Sequence, residues 1–388
     1  MKLPIKRFSM LSLFSIAMFS CSSDDDAVTT TNTITKSAVI ENYANIVYKS
    51  YQDAMDDAMD LETAISTFVT TPTDANFTAA KSAWKTARES YGPTEAFRFA
   101  NGPIDDNDGP EGLLNAWPLD ENYVDYVDED ANSGIINDPI TFPTIDKTTL
   151  EGLNEVGGEA NISVGYHAIE FLLWGQDNTA PSAQQAGQRP YTDFVDGGTA
   201  ANQDRRRQYL AVCADLLTDH LQLMLDEWKI GGAYRASFLA LNENTALKNM
   251  LTAIATLSKS ELGGERMFVA YDNQDQEDEH SCFSDNTHRD IRLNLEGIAN
   301  VYKGSYGNID GPSFEDLITQ SNATLGAEVS AQLAAAETAV DATAIPFDFA
   351  ISDATERPKV LTAINALQDL GDKFVEGGTS LGLSITAE

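Results

Sequence analysis

One imidazole and one carboxylate stand three residues apart inside an otherwise apolar run, Gly165-Tyr166-His167-Ala168-Ile169-Glu170-Phe171-Leu172-Leu173-Trp174-Gly175-Gln176-Asp177. Residues three apart share one face of a helix. Ala168, Ile169, Phe171, Leu172, Leu173 and Trp174 leave almost no polar side, so the run is expected to be a buried helix. A buried ionisable pair needs a partner, because uncompensated burial of charge is costly. Here the partner is either a metal ion, with His167 and Glu170 as ligands, or a structural hydrogen-bond network. A second pair, Asp285 and His288, repeats the spacing at another helix start. Helical bundles that hold iron or manganese place Glu-x-x-His pairs inward at this spacing. The order is reversed in the first pair and the second uses Asp, which departs from a standard di-iron carboxylate site. Asp285 is also well placed to be a helix N-cap.

Glu95, Arg98 and Asp105 form a third candidate group, just beyond Gly92-Pro93 and ending in Gly102-Pro103-Ile104-Asp105. Glu95 and Arg98 read either as an ordinary i, i+3 surface pair of small weight or as groups aimed inward by the bend. His220, on the polar side of its helix pattern, and His280, in an acidic loop, are not expected to be ligands. The chain has no His-Glu-x-x-His, no Gly-x-Ser-x-Gly, no Walker loop and no Cys-x-x-Cys, so hydrolysis, nucleotide binding and dithiol chemistry by those routes lack residue support. Cys213 lies within an apolar helical pattern, where a buried free thiol is the simpler reading than a bridge to Cys282.

The elements that must position these residues are helical. Thr35 can cap a helix from about 36 to 70 whose apolar positions recur at three and four. Thr73 can open a second helix, and Gly92-Pro93 must break or kink it. Residues 106–144 form an acidic excursion rich in Gly, Pro and Asn, with short helical pieces; loops this long are usually functional or covered. Long amphipathic patterns follow at 202–228, 246–257 (breaking at Gly263-Gly264), 285–302, 323–340 and 354–376. No stretch sustains period-two alternation. The expectation is an all-α fold of two tandem helical bundles, residues 36–198 with the His-x-x-Glu motif and residues 199–388. Paired long helices followed by a motif segment in each half suggest an internal duplication.

The chain has 388 residues, 42% hydrophobic content and a net charge of −35. That charge argues against nucleic acid as a partner and against electrostatic binding to anionic lipid. Residues 1–21 read as a lipoprotein signal peptide. Lys2, Lys6 and Arg7 precede an apolar segment, Phe8 to Phe19, too short to span a bilayer as a mature helix. Met18-Phe19-Ser20-Cys21 resembles a lipobox, making Cys21 the expected lipidation site. Ser22-Ser23-Asp24-Asp25-Asp26 resembles a surface-export signal, and residues 22–35 read as a flexible tether. The expected location is the cell envelope, lipid-anchored in the outer membrane and facing either the periplasm or the surface.

Four stretches resemble the imelysin-like family. They are Trp84-x-x-Ala87-Arg88-x-x-Tyr91 with Glu95-x-Phe97-Arg98-Phe99 and Gly102-Pro103-Ile104-Asp105; the run from Gly165 to Asp177; Gly264-Glu265-Arg266-Met267; and Cys282-Phe283-Ser284-Asp285-Asn286-Thr287-His288, which is most like the iron-regulated branch. The resemblance implies two helical bundles with the Gly-x-His-x-x-Glu site near their interface. It implies an exported, often lipid-anchored protein linked to iron uptake, with iron as the expected metal, free or as a complex, and zinc as the alternative. It also implies an outer-membrane transport partner. The family has been classed with metallopeptidases. A hydrolytic zinc needs three protein ligands and an open position, and His167 and Glu170 supply only two. A scaffold that binds no metal is the remaining alternative.

Overall fold

A computed structural model describes residues 33–106 and 109–387. The signal segment, Cys21 and most of the expected tether lie outside these residues. The first helix, α1 (Lys36–Thr70), starts where the Thr35 hydroxyl accepts the Ala38 N–H at 3.2 Å. Its stripe of Val39, Tyr43, Ile46, Val47, Tyr51, Ala54, Ala58, Leu61 and Ile65 is buried. Each fully buried Val, Leu or Ile side chain contributes about 1.5–3 kcal/mol, which is what fixes α1 as the spine of the first helical group. Helix α2 (Asp74–Tyr91), capped by Thr73, packs along it. Gly92-Pro93 does not end the helical path. The chain tightens into a 3₁₀ turn over Gly92–Phe97, which suits proline at its second position.

The acidic excursion is tied down from within. Asp125 is fully buried and accepts from Arg189 at 2.5 Å and from Arg206 at 2.7 Å through each of its oxygens. The excursion leads into α3 (Gly165–Trp174), the helix of the His-x-x-Glu motif, all ten residues of which are buried. Gly165 sits at φ 86°, and a Cβ there would lie 2.6 Å from the Leu114 carbonyl oxygen. Only glycine lets the early part of the excursion, at Leu113 and Leu114, approach the start of α3 this closely. Gly175, at φ 70°, closes the helix, as its position in the sequence suggests.

Helix α4 (Gln203–Trp228) packs along α1 and α3. The expected boundary at 198/199 assigns α4 to the second group of helices, but its packing lies with the first. The second group is α5 (Glu243–Thr256), α6 (Thr287–Lys303), α7 (Ala323–Asp341) and α8 (Arg357–Ser380). Between α5 and α6 the chain departs from expectation at Gly263-Gly264. It does not break there but continues as a wide-turned π-helical stretch over Leu257–Phe268, packed against α8. A two-residue antiparallel hairpin, Ser305–Tyr306 with Ile309–Asp310, interrupts the otherwise helical architecture. Ile34–Glu388 form one compact unit. Among the described residues no helix is long and apolar enough to cross a membrane. Cys213 and Cys282 are buried free thiols.

Candidate functional site

Helix α3 is held by aromatic packing from α2. Trp84 donates its indole N–H to the Tyr166 carbonyl at 2.9 Å and meets the Trp174 ring edge-on at 5.3 Å. This leaves His167 and Glu170 facing inward toward the segment that precedes α6. His167 Nδ1 and Glu170 Oε2 lie 2.9 Å apart, and both side chains are wholly buried. Glu170 Oε1 accepts two further bonds from Ser284, from the backbone N–H at 3.0 Å and from the hydroxyl at 2.6 Å. Every oxygen of Glu170 is therefore engaged. His167 Nε2 is not: it is a buried ring nitrogen without a hydrogen-bond partner. Burial pushes Glu170 up to about 8 and pulls His167 well below the usual imidazole range, the latter helped by the nearby His280 and Arg88. One proton is thus shared across the 2.9 Å contact near neutral pH, and the pair carries no net charge.

A second imidazole–carboxylate pair stands beside the first, and it is not the expected one. His280 stacks edge-to-face on His167, with ring centroids 4.6 Å apart and planes at 81°. Its Nδ1 lies 3.1 Å from Asp290 Oδ2. Asp290 in turn accepts from Arg88 Nε at 3.2 Å and from the Ser281 hydroxyl at 2.5 Å. Burial alone would raise Asp290. The Arg88 guanidinium and the His280 hydrogen bond outweigh it and hold the carboxyl below its ordinary range. Arg88 reaches further, to Asn115 at 2.5 Å, and Asn115 donates to Glu95 at 3.3 Å. Arg266 then bonds Glu95 at 2.5 Å and Asn294 at 2.7 Å. The result is a buried polar chain in which every formal charge meets its opposite.

The sequence-derived candidates divide accordingly. Glu95 belongs to this chain, but its partner is Arg266, not Arg98. Arg98 instead contacts Glu261 at 3.2 Å, Glu111 at 3.4 Å and Asp105 at 3.9 Å, nearer the surface. The Asp285/His288 pairing does not form between side chains: His288 Nδ1 bonds the Asp285 backbone carbonyl at 2.9 Å. Asp285 is not the N-cap either, since it sits in the left-handed region at φ 54° and Asn286 precedes the helix. His220 is buried, with Nε2 3.3 Å from Glu151, where its pattern suggests a polar face.

The Asp285 carboxylate turns toward Asp177, with Asp348 and Glu279 close to it. None of these four acids forms an ion pair among the described residues. Both oxygens of Asp348 and Oε1 of Glu279 are buried without a well-formed hydrogen bond. Burial, reinforced by mutual repulsion, pushes Asp285 up to about 7, and burial pushes Asp348 up to about 6.

Trp117 and His280 both contact His167, and both line a surface cavity of about 460 Å³. Its walls carry seven acids, Glu111, Glu155, Glu159, Glu261, Glu265, Glu277 and Asp278, against Arg98 and Arg266. The recess therefore favours cations at its mouth and ends on imidazole. Among the described residues no three His, Cys, Asp or Glu side chains gather into a ready-made ligand set. Arg88, Trp117, Arg266, His280, Ser284 and Asp290 are site residues that spacing alone did not select. Arg88 was detectable, four residues beyond Trp84 on the buried stripe of α2, where an arginine needs a buried partner.

Fold and site together define an all-helical protein organised around a buried imidazole–carboxylate centre beneath an acidic recess. The sequence profile of the imelysin family (Peptidase_M75) matches residues 47–374, and the chain belongs to that family. A relative named iron-regulated protein A, from Synechococcus elongatus, is 26% identical over 338 residues, covering 84% of this chain and 81% of the relative. A crystal structure from Parabacteroides distasonis, whose name places it with iron-regulated protein A precursors, superposes with a TM-score of 0.71. Identity there is 19%, covering 90% of this chain and 97% of that one. That likeness is one of fold.

Proposed function

We propose that this protein is an exported lipoprotein that binds iron, as the ion or a small complex, at His167 and serves iron uptake at the cell envelope. The observation that carries the reading is the orphaned His167 Nε2. A ligating histidine characteristically has its other ring nitrogen fixed by a carboxylate, and Glu170 does this here at 2.9 Å. With its oxygens already taken by His167 and Ser284, Glu170 is the group that orients the ring and accepts its proton's charge, while His167 is the ligand. A metal held at Nε2 would take the place of the proton that this nitrogen carries while the neutral pair shares its other proton at Nδ1, so binding would release one proton and strengthen as pH rises. The acidic recess concentrates cations ahead of the site, and the names of the relatives point to iron.

Binding to the native state alone raises the unfolding midpoint, by about 2.7 kcal/mol of stability at a hundredfold excess over Kd. Thermal unfolding of the soluble chain with Fe²⁺, Fe³⁺, Zn²⁺ and Cu²⁺ tests the reading. Iron is expected to raise the midpoint of the wild type and leave His167→Ala unmoved. An equal rise in both, or no rise in either, rejects His167 as the metal site. Anchoring through Cys21 is tested by fractionation: Cys21→Ser should move the protein from the membrane to the soluble fraction, and an unchanged distribution would remove the lipid anchor.

A further inference from the structure

We infer that the site has a second nitrogen ligand, His280, and that the two imidazoles select a ferrous or similarly borderline divalent ion over ferric iron. This rests on the reading of His167 as a metal ligand. His280 repeats the His167 arrangement: Nδ1 is fixed by a carboxylate, Asp290 at 3.1 Å, and Asp290 is itself held by Arg88 and Ser281. The ring is 4% exposed, and that exposure opens on the recess. The two rings touch at 4.6 Å between centroids. Two neighbouring imidazoles, each locked at Nδ1 by a different carboxylate, is the supporting pattern of a histidine metal site found twice over.

The same short segment supplies both halves. Residues 280–290 bring His280 to the recess, Ser284 to Glu170 and Asp290 to Arg88. The rings are carried by different parts of the chain, His167 on α3 and His280 on the approach to α6, so the site forms only when the fold has closed.

Imidazole is a borderline donor that suits Fe, Cu, Ni and Zn, whereas carboxylate and water suit harder ions. The immediate charges agree. Arg88 and Arg266 are matched by Asp290 and Glu95, leaving only Glu170, once deprotonated, to answer the metal. One negative charge in a buried site suits a divalent ion better than a trivalent one. Asp290 and Glu170 are positioning residues here: they touch the rings, not the metal.

Cu²⁺ serves as the spectroscopic probe, because electron paramagnetic resonance counts its nitrogen ligands. The wild type should show two nitrogens, His280→Gln and His167→Gln one each, and Asp290→Asn two with altered splitting. Calorimetry with Fe²⁺ under anaerobic conditions should show at least tenfold weaker binding for His280→Gln, and Fe³⁺ should bind the wild type more weakly than Fe²⁺. One nitrogen in the wild type, or Fe²⁺ affinity unchanged in His280→Gln, overturns the assignment of His280 while leaving His167 in place. Ferric iron binding more tightly than ferrous overturns the selectivity. No metal signal in the wild type overturns the proposed function as well.

Discussion

Ser284 and Asp285 are neighbours in sequence, yet they enter two buried regions of opposite design. Ser284 joins the chain that runs from Glu170 past His167 and His280 to Asp290, Arg88, Asn115, Glu95 and Arg266, in which each formal charge is met by its opposite. Asp285 joins Asp177, Glu279 and Asp348, none of which forms an ion pair among the described residues. The difference is in how burial is offset: by guanidinium and imidazole in the first, by protons in the second. Where a guanidinium answers them, Asp290 and Glu95 stay ionised and fix geometry, while burial without a cation favours the neutral carboxyl at Asp285 and Asp348.

The largest break in this contrast should come from Arg88→Ala. It leaves Asp290 buried and charged without its guanidinium, and removing one partner of a buried pair costs about 3–5 kcal/mol. Chemical denaturation should show the loss directly, and a cost below about 1 kcal/mol would mean that Asp290 is protonated or solvated instead. The two regions should also respond to pH in opposite senses. Asp290 and Glu95 are held below their ordinary range, Glu95 chiefly by Arg266 working against burial, so the stability they contribute is present above about pH 4 and lost as pH falls. Asp285 and Asp348 are raised to about 7 and about 6. The stability tied to their protons is present below about pH 4 and lost as pH rises through 6 and 7. Asp348→Asn should therefore stabilise the protein at pH 8, by about 1 kcal/mol once solvent screening is allowed for, and change little at pH 4. Equal effects at the two pH values would remove the cluster from this account. The smallest effect belongs to a charge that water already answers. Lys359→Ala, which removes an exposed pair with Glu356, should shift the unfolding free energy by less than about 0.5 kcal/mol.

Much of this was legible in the sequence where periodicity or capping chemistry speaks. The caps at Thr35 and Thr73, the buried run of α3 and its closure at Gly175 follow from local rules, and so does the inward-facing His167 and Glu170 pair. The partners did not follow, because they are set by contacts across the fold. His280 lies in an acidic, aperiodic loop, and nothing in its neighbours shows that Asp290, ten residues on, turns back to hold it. Asp285 and His288 have the right spacing but the wrong backbone: a left-handed residue at 285 sends the carboxylate away from the imidazole. Glu95 and Arg98 have helical spacing, but Arg98 stands just past the 3₁₀ turn that holds Glu95, and each finds its partner across the fold, Glu95 in Arg266 and Arg98 in Glu261 and Glu111. Gly263-Gly264 has the composition of a break, but packing against α8 keeps that stretch helical.

The wide turns of that stretch make it act like a gear. Glu261 and Arg266 are five residues apart and form an ion pair at 3.1 Å. On an α-helix, at about 100° per residue, they would point about 140° apart; the π-helical winding returns them to one side. Arg266 is thereby aimed at Glu95 and Asn294 by the count of residues between Leu257 and Phe268 as much as by its own side chain. Losing a single residue from between them, such as the exposed Glu265, would leave the pair four apart, about 40° from each other on an ordinary α-helix, so the stretch could rewind and still keep Arg266 on the side of Glu261. Added length is the change it would not absorb: with one more residue between them the two would stand about 120° apart on an α-helix, and Arg266 would turn away from Glu95 and Asn294 with every member of the network still present in the chain.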